Sequence, residues 1–235
     1  MYSHRDFEIS NISNMRKLAT LSGNIEVNIL RSGKHDETLI YAIKTSGNFA
    51  ELGVALSSMQ IVYNKGFSGL DRQRVLIFIQ SHLSSLITLS DQLLIELADN
   101  IAVEGHYHQK DKGGNPYIDH VRNVANAVSG TDAKVVALLH DILEDTEMTE
   151  FNLIERGIPR SLVNIVIILT RKKTETYFEY IARIDQSDCE IAKLVKIADL
   201  TDNLNLRRIK NAADRKKSLV QRYQKALRIL NASKS

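Results

Sequence analysis

The run Ala137-Leu138-Leu139-His140-Asp141-Ile142-Leu143-Glu144-Asp145-Thr146 reads as an apolar helix interrupted by four ionisable side chains. Val135, Leu138, Leu139 and Ile142 recur at spacings of three and four, which lays apolar side chains along one stripe of a helix, so burial is expected. Taking one imidazole and three carboxylates out of water costs on the order of several kcal/mol per group unless each is paired or bound to a metal. A divalent cation is the compensating partner that suits all of them. On a continuous helix Glu144 follows His140 by four residues and Asp141 by three, and Asp145 follows Asp141 by four, so the four side chains are expected to share one sector.

Two further stretches accompany this run. Upstream stands Gly113-Gly114-Asn115-Pro116-Tyr117-Ile118-Asp119-His120, and downstream Lys196-Ile197-Ala198-Asp199-Leu200-Thr201-Asp202-Asn203. From about Leu93 to Leu230 the chain resembles the HD-domain metal-dependent phosphohydrolases. Within them it resembles the hydrolase domain of the RelA/SpoT family and the stand-alone small alarmone hydrolases, which remove the 3′-pyrophosphate of guanosine tetra- and pentaphosphate. The pattern of that family is a His, a Gly-Pro-Tyr-Ile-x-His element, Leu-Leu-His-Asp-x-x-Glu-Asp-Thr and Lys-Leu-Ala-Asp-x-x-x-Asn, and its parts occur here in that order.

The resemblance implies a mainly α fold, an HD-type helical bundle over about residues 91–232. It implies that His120, His140, Asp141 and Asp199 hold one divalent ion, Mn²⁺ in characterised relatives. Two imidazoles and two carboxylates also suit Fe²⁺, Co²⁺ or Zn²⁺, whereas the nitrogens disfavour Mg²⁺. Glu144 and Asp145 match the family's catalytic Glu-Asp pair, expected to position or deprotonate the attacking water. Asn203 matches an Asn that contacts the nucleotide, and His106 a His that supports the pocket without ligating the ion, while His108 reads as solvent-facing. Lys112 matches one member of a basic Arg-Lys pair, but Asp111 stands at the Arg position, where an Arg would stack on guanine and attract phosphate, so weaker guanine discrimination is expected. Asp202 replaces the His or Tyr usual three residues after Asp199. Arg171, in Thr170-Arg171-Lys172-Lys173, is a candidate for phosphate, and Tyr223 resembles a substrate-contacting Tyr of the animal relatives.

Three function classes follow: hydrolysis of guanosine tetraphosphate, hydrolysis of another nucleotide such as a 5′-nucleotide or NADPH, and non-catalytic binding of a nucleotide or partner. The intact ligand set and Glu144-Asp145 speak against the last. The family's synthetase domain finds no room in 235 residues.

The 43% apolar composition suffices for a packed core. Cys189 is the single cysteine, which with the lack of a signal-peptide or membrane-length apolar run points to a cytoplasmic location. A net charge of +3 gives no argument for nucleic acid, and Arg207-Arg208-Lys210 and Arg215-Lys216-Lys217 read as solvated helix faces without stacking aromatics. The expected partner is a small nucleotide, with no membrane.

Residues 1–90 carry no recognisable motif and read as a small α+β lobe, two or three strands plus a helix, ahead of the phosphohydrolase domain at 91–235. Ile25, Val27 and Ile29, and then Leu39, Tyr41 and Ile43, alternate as two antiparallel strands. Phe49, Leu52 and Leu56 have helical spacing, and Met59 to Tyr63 suits a third strand. Asp71 reads as the N-cap of one helix and Ser90-Asp91 as the cap of the next. Further helices are expected at about 91–107, 119–129, 132–145, 160–170, 176–186, 189–206 and 212–231.

Overall fold

The computed structural model describes residues 15–32, 37–111, 113–205 and 217–232. The chain divides into two compact units, Met1–Leu93 and Leu94–Ser235.

In the first unit β1 (Met15–Leu21), β2 (Ile25–Ser32), β3 (Glu37–Lys44), β4 (Ala50–Ala55) and β5 (Ile61–Lys65) form an antiparallel meander in chain order. The β1–β2 reversal depends on Gly23 and Asn24, at φ 82° and 54°, the left-handed region these two residues tolerate best. Alternation then builds the core. Ile25, Val27 and Ile29 of β2 stand in register with Lys44, Ala42 and Ile40 of β3, and β4 adds Leu52 and Val54 opposite Ala42 and Ile40. These residues pack with Val75, Ile79 and Leu86 of α1 (Gly69–Gly105).

The sheet is larger than expected, five strands in place of two or three. The helical spacing of Phe49, Leu52 and Leu56 is overruled by a period of two, because Ala50, Leu52 and Val54 point inward together while Phe49 stays 54% exposed. β1 escaped notice because it is a half-buried edge strand whose Arg16 and Lys17 blur the alternation. Ser68, not Asp71, caps α1, its hydroxyl accepting the Asp71 N–H at 3.1 Å, and the Asp71 carboxylate binds Lys44 at 2.7 Å and Arg74 at 3.0 Å. Nor does α1 restart at Ser90-Asp91. The Ser90 hydroxyl is engaged 2.6 Å from that of Thr38, and one helix of 37 residues runs through.

In the second unit the last turns of α1 are followed by α2 (Tyr117–Asn126), α3 (Thr131–Leu139), α4 (Ile142–Asp145), α5 (Glu150–Glu155), α6 (Arg160–Leu169), α7 (Tyr177–Asp185), α8 (Glu190–Asn203) and α9 (Lys217–Ala232). Pro116 and Pro159 stand immediately before α2 and α6, where a missing N–H does no harm. Thr149 and Thr176 close capping boxes with Asn152 and Glu179. The short α5 is a helix beyond those expected from the sequence, and residues 206–216, with the start expected for the last helix, lie outside the described residues.

α3 is the centre of this unit, packed by α2, α6 and α8. Ala133 and Val135 to Leu139 are all buried, an apolar surface on every side as befits a central helix. It does not continue through the ionisable run: it ends at Leu139, Asp141 takes φ −105° and ψ 0°, and α4 restarts at Ile142. Gly105 allows the end of α1 to lie against this restart, since a Cβ there would stand 2.4 Å from Ile142 Cδ1. Among the described residues no helix is long and apolar enough to cross a membrane.

Candidate metal centre

Three elements of the second unit converge behind the break. His120 comes from the first turns of α2, His140 and Asp141 from the α3–α4 junction, and Asp199 from α8. One donor atom each of His120, His140 and Asp141 lies within 4.8 Å of the others, a triad able to hold a metal ion. Asp199 Oδ1 stands 3.2 Å from His120 Nε2 and 3.8 Å from His140 Nε2, and Asp141 Oδ2 stands 3.0 Å from His140 Nε2. His120, His140 and Asp199 are buried.

The hydrogen bonds on the far side of each imidazole settle which nitrogen carries a proton. His140 Nδ1 is 2.7 Å from the Ala137 carbonyl, which can only accept, so Nδ1 bears the hydrogen. The Nε2 of the neutral ring then presents a lone pair to the oxygens of Asp141 and Asp199, and it has no hydrogen-bond partner. Acceptor faces acceptor in a buried site, an arrangement stable only with a cation between them, a proton or a metal. His120 is held alike, with Nδ1 2.6 Å from the Asp202 carboxylate and Nε2 toward Asp199. Asp202 thus orients His120. The loss of the family's His or Tyr at this position is a gain of a carboxylate–imidazole pair.

The carboxylates are held equally firmly. Tyr117 donates to Asp141 Oδ2 at 2.5 Å, Lys196 to Asp199 Oδ2 at 2.8 Å and Asn203 to Asp199 Oδ1 at 2.5 Å. Burial pushes the Asp141 and Asp199 carboxyls up, but His140 for the one and Lys196 for the other outweigh it, and both lie well below the usual carboxylate range. Burial also works against the His140 imidazolium, yet Asp141 and then Asp199 raise its pKa. Without metal the site therefore favours a proton on His140, which an incoming dication would displace. Tyr117 and Lys196 lie inside the quoted motifs without standing out there as site residues, and Asp202, which the sequence marks only as a departure from the family pattern, joins them.

Glu144 and Asp145 part company. The Glu144 carboxylate turns to the loop after α6 and accepts the Arg171 N–H at 3.0 Å. Asp145 lies toward the ligands: partial burial, then the charges of Asp141 and Glu144, push its carboxyl up to about 6. The break after Leu139 is the reason, since the two residues belong to a new turn and not to the α3 face expected for them. Gln109 braces this turn, donating to the Asp145 carbonyl at 2.6 Å while its Oε1 lies 2.8 Å from His106 Nδ1. His106 is buried with its pKa lowered by burial, and His108 is exposed.

The Asp145 carboxyl gives a stability test. Its folded pKa lies above the ordinary aspartate value of 3.8, so its contribution is fully present below about pH 4 and is lost as pH rises through about 6. Metal-free protein with Asp145→Asn should therefore melt higher than wild type at pH 8 and no higher at pH 4. After allowance for screening on its open side the gain is about 1 kcal/mol, or about 2–4 °C; equal melting at both pH values would contradict the assigned environment.

The remaining candidates are spread. Arg171 is exposed and reaches Glu144 through its backbone alone, and Asn203 binds Asp199. The Tyr223 ring on α9 lies 6.3 Å from that of Tyr177, beside the Arg222 guanidinium. Lys112 lies outside the described residues. Asp111 does not have the free carboxylate assumed from the sequence: Oδ1 accepts the N–H groups of Gly113 and Asn115 at 2.8 and 2.9 Å, closing the turn that leads into α2.

No family model matches the chain. Over 106 residues it is 36% identical to the guanosine-3′,5′-bis(diphosphate) 3′-pyrophosphohydrolase MESH1 of Drosophila melanogaster, covering 41% of this chain and 58% of that protein. Over 66 residues it is 46% identical to the guanosine-3′,5′-bis(diphosphate) 3′-pyrophosphohydrolase of Aquifex aeolicus, 26% of this chain and 10% of that one. The matches thus span less than two thirds of either curated relative. A solved structure described as a metazoan ortholog of SpoT that hydrolyzes ppGpp superposes with a TM-score of 0.51 at 22% identity, covering 60% of this chain and 86% of the other, and establishes a likeness of fold. In sequence the chain is thus similar to two guanosine-3′,5′-bis(diphosphate) 3′-pyrophosphohydrolases, and in fold to most of that solved neighbour.

Proposed function

We propose that the chain is a metal-dependent phosphohydrolase that removes the 3′-pyrophosphate of guanosine tetra- and pentaphosphate, with an HD-type domain over residues 91–235 preceded by an N-terminal lobe at 1–90 to which no role is assigned. The observation that carries the reading is the confrontation of His140 Nε2 with the Asp141 and Asp199 oxygens at 3.0 and 3.8 Å, which calls for a cation. His120, His140, Asp141 and Asp199 would hold one divalent ion, Mn²⁺ on the family resemblance, with Fe²⁺, Co²⁺ or Zn²⁺ equally suited to the N/O donor set. Such an ion supplies Lewis acidity at the phosphoryl oxygen and makes a neighbouring water more acidic.

The chain's own residues do the rest. Asp202 and the Ala137 carbonyl keep the Nδ1 protons of His120 and His140 in place, and Lys196 and Asn203 fix Asp199. Of Glu144 and Asp145, one accepts the proton of the attacking water and the other helps to position it. Arg171 and Lys112 take phosphate oxygens, Tyr223 contacts the substrate, and Asn203 contacts the nucleotide beside Asp199.

A second reading, hydrolysis of a 5′-nucleotide or of NADPH, is favoured by Asp111, which bears no cation for guanine or phosphate and is occupied with its own loop. The two part in a release assay with Mn²⁺ on guanosine tetraphosphate, a nucleoside 5′-monophosphate and NADPH. Pyrophosphate from the first substrate alone is the expected result; orthophosphate from the others with the first intact would favour the second reading.

A further inference from the structure

The C-terminal end of α6 leaves its last carbonyls without helical partners. Two side chains of α7 take them: Arg183 donates to Ile168 O at 2.9 Å and Thr170 O at 3.1 Å, and Tyr180 donates to Leu169 O. The same guanidinium grips Glu175 through both carboxylate oxygens, Nε to Oε2 at 2.9 Å and Nη2 to Oε1 at 2.6 Å. Glu175 Oε1 in turn accepts the Lys172 N–H at 2.7 Å. The chain leaving α6 is thus held before Arg171 by Arg183 and after it by Glu175. Between the two holds the Arg171 N–H points at Glu144 Oε2, 3.0 Å away. Ordinary capping needs only the first hold, and Lys or Asn would supply it. The planar fork, bidentate on one side and on two carbonyls on the other, fixes the direction of a particular N–H.

We infer that the Arg183–Glu175 pair positions Glu144, through the Arg171 amide. The inference rests on the role proposed for Glu144, and Arg183 itself touches no reacting atom. Lysine at 183 keeps the charge and one hydrogen bond but loses the fork.

The test uses the full chain loaded with Mn²⁺ and guanosine tetraphosphate. Arg183→Lys should lower kcat about 10- to 100-fold, the effect of displacing a reacting group by a fraction of an ångström to an ångström, with metal content unchanged. In a Glu144→Gln background Arg183→Lys should lower kcat no further, because both changes disable one group. An equal loss in both backgrounds would overturn the inference, since general weakening of the fold is additive. Glu175→Gln carries the same comparison if Arg183→Lys does not fold. Hydrogen exchange of the Arg171 amide needs no substrate: it should accelerate in Arg183→Lys and in Glu144→Ala, which has no side-chain oxygen to accept the N–H, and stay near the wild-type rate in Glu144→Gln. An unchanged rate in Arg183→Lys would sink the positioning role. Absence of hydrolysis by wild type would instead sink the proposed function, leaving the amide measurement to decide this one.

Discussion

Protein carrying His140→Ala is expected to bind no divalent ion and to lose hydrolysis altogether. Its Nε2 is, among the described residues, one of three buried side-chain atoms without a hydrogen-bond partner, and it faces two carboxylates. Removing the ring takes away a ligand and the group that, protonated, neutralises those carboxylates in the metal-free state. Breaking a buried pair from one side costs about 3–5 kcal/mol, so metal-free His140→Ala should also be less stable than metal-free wild type. Mass action separates the two losses. At free Mn²⁺ about 100 times its dissociation constant, wild type should gain about 2.7 kcal/mol, or about 5–11 °C in Tm, and the variant nothing. Scanning calorimetry with and without Mn²⁺, with metal analysis, reads both; a full metal-induced shift in His140→Ala would place the ion elsewhere.

The second large effect is expected from Glu144→Gln. Glutamine keeps the shape and can still accept the Arg171 N–H through its carbonyl oxygen, so the loop after α6 stays where it is. What disappears is the capacity to take a proton. Loss of a general base typically costs about 10²–10⁴-fold, so kcat should fall by that order while KM and metal content stay near wild type. If kcat is unchanged, Glu144 only tethers the loop, and Asp145, already on the ligand side, is the proton acceptor.

Where periodicity is unambiguous, sequence and structure agree. Val135, Leu138, Leu139 and Ile142 are buried as their spacing requires, and α6, α7 and α8 fall within a few residues of the expected limits. The interruption at His140-Asp141 was hidden because apolar spacing continues across it. Ile142 is as buried as Leu139, and nothing in the residue types announces that Asp141 leaves helical geometry. A run of charges seemed to imply one helical sector, yet only His140 and Asp141 join His120 in the compact triad. Asp111 and Asp202 teach the reverse lesson. Both looked like losses against a family pattern, but Asp111 closes a turn on backbone N–H groups two and four residues on, a use of Asp that a local turn reading could have found, whereas Asp202 holds His120 from 82 residues away, a partnership no local pattern contains. Arg183 was invisible for the same reason, since its partners at 168, 170 and 175 belong to a different helix end.

The central claim is that this chain's buried N/O cluster drives hydrolysis through one ion. The most direct measurement is pyrophosphate released from guanosine tetraphosphate by protein stripped with chelator and then titrated with Mn²⁺. The account predicts no release from stripped protein and recovery that saturates at about one Mn²⁺ per chain, with guanosine 5′-diphosphate as the other product. Full activity in excess chelator, or recovery that leaves guanosine tetraphosphate intact while other nucleotides are cleaved, would contradict it.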